Sequence, residues 1–488
     1  MQNFEDYLKT TGEVGYVDEM VHSVAYVSGL PGAAVNEIVV FEEGSKGQII
    51  SLGEHHAEVA PFTKQPLKLG SRVARTGSFL EIMAGMKLLG KAIDPLGSIL
   101  EFLDGNGAET VRDGEEIRRV DTPVPGVLER KKTDRPLETG VPIVDLVIPL
   151  GRGQRQLVVG DRKTGKTNFL VQAIYNQARL GTICVYAAIG KKRVETKRVL
   201  EEFKNRGVTD NIVTVATSPA DAPGLVFVTP YTAMAIAEYF RDQGRDVLLI
   251  FDDLTAHAKY YREISLLAKR FPGRSSYPGD IFYIHSRLLE RAGNFAKGSI
   301  SILAIAELIF GDLSGYIQTN LMSMTDGHIY FDTDYFNQGR HPAINPFLSV
   351  TRVGFQAQTA LLRDLSRVLS SFLVEIEQLR EFLHFGAELS ETIRAKLDMG
   401  DKILAFFDQP ASETVPTNIS ILVIANIWAG NYRSVAIDKM KQAITNVNNQ
   451  YGIDRNYKLK LDAAIARFSK FGDLVESLKK GEGVVFNG

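Results

Sequence analysis

The sequence predicts three kinds of domain in succession: an N-terminal β-barrel, a central α/β domain with a parallel sheet, and a C-terminal α-helical bundle. Three changes of pattern along the 488 residues predict it. Short β-type runs come first, strands alternating with helical patterns follow, and a long apolar stripe at three-to-four spacing comes last. The divisions fall at residues 1–85, 86–360 and 361–488.

From about Gly15 to Ala84 the runs SVAYVS, EIVVF, QIISL and HAEVAPF are separated by glycine-containing turns, the spacing of a small all-β module. His55 and His56 fall at one of these turns. Adjacent residues of a strand face opposite ways, so they read as turn residues and not as a metal pair. Between Gly85 and Gly153 the chain is rich in Pro and Gly, an irregular connection with short strands. Strands are then expected at Gln156–Val159, Thr182–Ile189, Ile212–Ala216, Val247–Phe251 and Ile300–Ala306, with helical patterns such as Glu195–Arg206 and Thr232–Asp242 between them. That alternation indicates a parallel sheet covered on both faces. From Leu361 the stripe runs through Leu365, Leu369, Phe372, Leu373 and Ile376, the signature of a packed helical core.

Composition narrows the function. Apolar residues make up 44% and charged ones 23%, ordinary for a globular chain with ample core. Lys plus Arg number 56 against 58 Asp plus Glu, so no overall field favours nucleic acid or an anionic membrane. A single cysteine, Cys184, excludes a disulfide framework and a cysteine-based metal site. The opening MQNFEDYLK has neither the apolar core of a signal peptide nor the arginines of a transit sequence. The most apolar windows, SILAIAELIF and NISILVIANIWAG, are too short to span a bilayer, so membrane association is expected only through partners.

The chemistry is concentrated in QRQLVVGDRKTGKTNF, residues 154–169. An apolar run enters Gly160-Asp161-Arg162-Lys163-Thr164-Gly165-Lys166-Thr167, and an amphipathic run with Phe169, Leu170, Ala173 and Ile174 follows. Strand, G-x-x-x-x-G-K-T and helix stand in the order a phosphate-binding loop requires. The glycines let backbone N–H groups wrap phosphates, and the helix N-terminus adds its positive end. Lys166 would reach the terminal phosphates, and the Thr167 hydroxyl would serve Mg²⁺. The run VLLIFDD puts Asp252 where a strand ends, a place from which a carboxylate can hold the metal shell of a bound nucleotide. These residues point to a nucleoside phosphate, ATP or ADP, with Mg²⁺.

Longer stretches carry a resemblance. PLETGVPIVDLVIPLGRGQRQLVVGDRKTGKT, the segment EYFRDQGRDVLLIFDDLTAHAKYYREISLLAKRFPGRSSYPGDIFYIHSRLLERA, GYIQTNLMSMTDGHIYF and HPAINPFLSVTRVGFQAQ are similar to the alpha subunits of F-type ATP synthases, from about Val24 to Ala425. The resemblance implies a RecA-like central domain and a hexamer of alternating alpha and beta subunits around a central-stalk gamma subunit. It also implies a delta-type peripheral-stalk contact at the N-terminus, where this chain is shorter than the family pattern. It places an arginine finger at Arg352, supported by Ser349, directed at the beta subunit's nucleotide, and a base contact at Gln409. The alpha chain of such a complex binds nucleotide without turning it over, peripherally on the cytoplasmic face of a bacterial plasma membrane.

The departures from the family pattern are specific. Catalytic chains carry a Glu after the strand that follows the loop helix, and alpha chains usually a Gln; here the residue is Lys191, which is unsuited to act as a base. Lys163 stands for a Gln in the loop, His341 for an Arg before Pro342, and Ala411 for a second base-contacting Gln. Leu308 and Ile309 replace a polar pair, and Ser275-Ser276 a Glu-Ala in the rotor-facing loop. Two other readings are an alpha-like scaffold of a rotary ATPase not used for synthesis and a self-contained hexameric motor. Lys191 and the lack of a basic stripe in the first domain count against the motor.

Overall fold

The computed structural model describes residues 4–100, 116–384 and 390–481. They divide into two compact units: Met1–Lys131 with Ala178–Leu308 and Asp312–Thr325, and Lys132–Gln177 with Ile309–Gly311 and Asp326–Gly488. All three expected architectures are present.

The first unit begins with a closed barrel. Its strands β1 (Val14–Val21), β2 (Val24–Ser28), β3 (Glu37–Phe41), β4 (Lys46–Leu52), β5 (Ala57–Pro61) and β6 (Arg72–Phe79) run in the spatial order β1-β2-β5-β4-β3-β6, and β1 pairs with β6. Closure removes the exposed edges that isolated strands would leave. Val17, Val27, Val39, Phe41, Ile49, Val59 and Val73 fill the interior. The run at 81–84, read as the end of this module, instead pairs with Glu116–Arg119 outside the barrel. At the β4–β5 turn His55 is exposed, while His56 lies edge-on to Tyr26 with 5.0 Å between ring centroids.

The same unit holds five parallel strands in the order Ser299–Glu307, Asp246–Asp252, Ile183–Ala188, Ile212–Ala216 and Ala92–Ile93. Their continuous apolar runs are those of strands buried on both faces, and the Cys184 thiol is among the buried groups. The helix expected from Thr232 starts instead at Pro223 and runs to Asp242, straight through Pro230. Glu238 on this helix forms a buried pair with Arg291, at 2.7 Å.

In the second unit Arg155–Gly160 lies parallel to Gly327–Phe331, with Gly160 opposite Phe331, and Ile344–Thr351 runs antiparallel to Gly327–Phe331. The C-terminal bundle comprises Ala360–His384, Glu391–Phe407, Thr417–Ala429, Ile437–Ile453, Arg455–Ile465 and Phe471–Lys479. NISILVIANIWAG lies in the third of these helices, buried at nearly every position, and Gly430 ends it at φ +87°. The Trp428 ring packs edge-on between Phe372 and Phe471, at centroid distances of 4.8 and 5.5 Å. Among the described residues no helix is long and apolar enough to cross a membrane.

Candidate functional site

The phosphate-loop sequence forms the expected turn in the second unit. Strand Arg155–Gly160 delivers the chain to the loop, and helix Lys166–Arg179 leaves it. A Cβ on Gly160 would lie 2.6 Å from both the Cβ and the carbonyl oxygen of Phe331, so only glycine fits beside that strand. Gly165 sits in open space but at φ +93°, where L side chains are strained. Lys166 is buried, and its ammonium donates to the carbonyl oxygens of Gly160, at 2.9 Å, and Asp161. Thr164 is buried too, and its hydroxyl donates to the Asp161 carbonyl at 2.8 Å. The Asp161 carboxylate accepts from the Gly311 N–H at 3.1 Å and the Thr333 hydroxyl at 3.0 Å, bracing the loop from outside. Arg162 and Lys163 are exposed at the tip, Lys163 at φ +65°. Thr167 is half-buried in the first turn of the helix.

Also in this unit, Gln409 is buried and fastens two loops: Nε2 donates to Gly140 O at 3.1 Å and to Glu413 O at 2.6 Å. No donor among the described residues reaches its Oε1. His341 is exposed; its backbone N–H donates to Asp408 at 3.1 Å, and its ring lies edge-on to Phe336. Arg352 is exposed one residue beyond strand Ile344–Thr351, and its N–H donates to the Asp326 carbonyl at 2.9 Å. Asp326 is itself clamped by the Arg155 guanidinium at 2.9 and 3.1 Å. Ser349 braces the strand by backbone bonds: its hydroxyl donates to Asn345 O at 2.6 Å and accepts from Tyr330 N–H at 2.9 Å.

The first unit holds Asp252 and Asp253. Asp252 ends its strand with a side chain only 1% exposed, and the Lys191 ammonium lies 2.6 Å from its Oδ1. The Tyr186 hydroxyl donates to Oδ2 at 2.9 Å. Burial and the Asp252 charge hold that phenol well above its ordinary pKa, so it stays a donor. Burial opposes the Lys191 charge, but the carboxylates of Asp252 and Asp253 outweigh it and keep the ammonium above the ordinary lysine value. Asp253 caps helix Leu254–Leu267 through Ala256 N–H at 2.5 Å, and burial lifts its carboxyl to about 6 against the pull of Lys191. Tyr186 and Asp253 were not singled out from sequence. The apolar run around the tyrosine hides its hydroxyl, and nothing in the run IFDD marks its second aspartate as a helix cap.

The Thr167 hydroxyl and the Asp252 carboxylate are oxygen ligands of the kind Mg²⁺ takes. Among the described residues no three His, Cys, Asp or Glu side chains converge to hold a metal by themselves.

A closed barrel followed by an α/β fold with this strand–loop–helix turn defines a phosphate-loop nucleotide-binding protein. Residues 140–351 match the nucleotide-binding domain of the ATP synthase alpha/beta family, and residues 358–476 match the C-terminal domain of its chains. The chain is 40% identical to the ATP synthase subunit alpha of Dictyoglomus thermophilum over 444 residues, which cover 90% of this chain and 86% of that one. It is 38% identical to the ATP synthase subunit alpha of Neorickettsia sennetsu over 475 residues, covering 95% and 92%. The chain belongs to the ATP synthase alpha/beta family, with the alpha subunits of the F-type enzymes.

Proposed function

We propose that this chain is a non-catalytic, nucleotide-binding alpha subunit of a proton-translocating (or other ion-translocating) rotary ATP synthase, regulating the complex and supplying Arg352 to a catalytic site on a neighbouring beta subunit. The observation that carries the non-catalytic reading is the state of Lys191. A general base must lose its proton to act, and an ammonium 2.6 Å from a buried carboxylate is held in its protonated form. Catalytic relatives need a carboxylate here to polarise water; a cation repels the proton it would have to take.

Binding needs none of that. In this reading backbone N–H groups of 160–167 wrap the phosphates of ATP or ADP, and Lys166 leaves the loop carbonyls to meet the terminal ones. Thr167 and Asp252 serve Mg²⁺, which supplies positive charge to the polyphosphate when bound. The unpartnered acceptor of Gln409 supports a base contact, since a buried carbonyl oxygen without a donor is costly and an exocyclic amine would satisfy it. The partners are the beta subunit, the central-stalk gamma subunit and a delta-type peripheral stalk, and the membrane is reached only through the complex. Three functional divisions follow, at 1–85, 86–360 and 361–488.

The test uses the isolated chain. It should bind Mg-ATP, lose that binding in Lys166→Ala, and show no turnover above background. Steady hydrolysis abolished by Lys166→Ala would overturn the non-catalytic reading.

A further inference from the structure

The helix that leaves the phosphate loop carries three buried amides, Gln172, Asn176 and Gln177. Gln172 and Asn176, four residues apart, stand one above the other on a single face. Asn176 and Gln177 donate to the Glu138 carbonyl oxygen at 2.9 and 2.6 Å. Gln172 Nε2 donates to the Glu413 carbonyl oxygen, which also accepts from Gln409 Nε2 at 2.6 Å. One carbonyl therefore joins an amide of the phosphate-loop helix to the amide whose Oε1 has no donor among the described residues. All of these residues belong to the second unit.

The orientation of the Gln409 amide follows from its partners. Nε2 has two hydrogens, and Gly140 O and Glu413 O take both. Turning the amide over would set its oxygen against two carbonyl oxygens, so Oε1 is held to the opposite side. Gly140 is fixed from behind: the Thr139 and Gly140 N–H groups donate to the buried Asp145 carboxylate at 2.8 and 2.9 Å. Gln409 is fixed through its backbone, whose N–H donates to His341 O at 2.6 Å. Glu413 stands in a largely exposed turn closed by a local bond, its N–H to Pro410 O at 3.0 Å. The Gln172 amide ties that turn to the phosphate-loop helix.

We infer that Gln172 is a positioning residue for the base of the bound nucleotide: by holding Glu413 O it fixes the Gln409 amide with Oε1 presented to a purine's 6-amino group. The inference rests on the reading that Gln409 meets the base. Phosphate and base recognition are then built on one helix, with Lys166 at its first position and Gln172 six residues, about 9 Å, further along.

The experiment measures, by calorimetry in excess Mg²⁺, binding of ATP, of purine riboside triphosphate (ATP without its 6-amino group) and of tripolyphosphate. The wild-type chain should prefer ATP to the purine analogue by about tenfold or more, the effect of leaving a buried acceptor unmade. Gln172→Met keeps the side chain's length and removes its donor. It should bind tripolyphosphate within about twofold of wild type, while its preference for ATP falls to about threefold or less. Gln172→Leu serves the same comparison if the methionine variant does not fold. Gln409→Met should abolish the preference, and adding Gln172→Met to it should change the preference no further. A Gln172→Met chain that keeps the full preference overturns the inference and leaves the base contact standing. Loss of tripolyphosphate binding in step with ATP would make the residue a support of the loop and overturn it equally. A wild-type chain that binds ATP and the purine analogue alike overturns the base contact and the inference together.

Discussion

Gly160 and Gly165 are both required by the loop, for different reasons, and substitution separates them. A methyl at 160 would fall 2.6 Å from the backbone of the paired strand, where nothing flexible can yield. Gly160→Ala should therefore cost about 1–3 kcal/mol of stability, in the range of overpacking, and displace the loop. Gly165→Ala meets no atom within 4 Å, only the left-handed penalty of about 1–2 kcal/mol. Melting temperatures and nucleotide affinities of the two variants check this; affinity should fall in both and strand stability mainly in the first. Lys163, exposed at the tip, should act through screened charge alone. Lys163→Gln should weaken ATP binding by about two- to fivefold at low salt, and the difference should vanish at high salt. A salt-independent loss would mean a direct phosphate contact. The loop's spacing was legible because every group in it is local in sequence. The pairing of Lys191 with Asp252 was not, since two different strands bring them together and charge pairs leave no periodic trace.

Elements were legible where burial leaves one pattern. Ile212–Ala216 is read to the residue, and Ser299–Glu307 and Asp246–Asp252 to within one at each end, because strands buried on both faces are continuous apolar runs. The pattern predicts helix Pro223–Asp242 only from Thr232 onward, for the converse reason. It is buried on almost every side, so it has no polar stripe to mark its period, and Pro230 looks like a break. Tertiary packing outweighs the lost hydrogen bond there. Helices Leu254–Leu267 and Ile281–Leu289 meet through a buried histidine pair, His257 Nδ1 to His285 Nε2 at 3.0 Å, with His257 Nε2 donating to Phe227 O at 3.0 Å. Burial lowers His257 to about 4. The unfolded chain then takes up this proton near 6.5 and the folded chain only near 4, so protons favour unfolding. Stability is full above pH 6.5 and falls as pH drops towards 4. His257 alone contributes a loss of about 2 kcal/mol between pH 7 and 5, readable as a fall in urea midpoint. His257→Gln should lower stability at pH 7 but flatten that slope. An unchanged slope would assign the acid lability to other groups.

At the scale of the whole molecule the question is what this chain gives to a neighbour, and Arg352 is the residue that poses it. A short rigid base presents its side chain. The Arg352 N–H is tied to Asp326, which Arg155 clamps, and a Cβ on Gly354 would fall 1.7 Å from the Pro149 carbonyl oxygen, so the turn after it tolerates only glycine. Arg352 at the end of this support is an exposed residue, and Ser349 steadies the strand behind it through backbone bonds. The role proposed for it was legible only through the family resemblance, because a lone Arg before Val-Gly carries no chemical signature. Arg352→Ala should leave nucleotide binding by this chain unchanged and assembly with the beta subunit intact, since one residue rarely governs a large interface. Turnover by the assembled complex should fall by about 10³–10⁵, or roughly 4–7 kcal/mol of transition-state stabilisation. Arg352→Lys should recover little of it, because a point charge cannot reproduce the planar fork of donors that meets developing phosphoryl charge. Single-turnover hydrolysis by complexes reconstituted with wild-type beta subunit, with assembly checked by size-exclusion chromatography, decides the matter. An Arg352→Ala complex that assembles and hydrolyses ATP at near-normal rates would remove the residue from the catalytic site altogether.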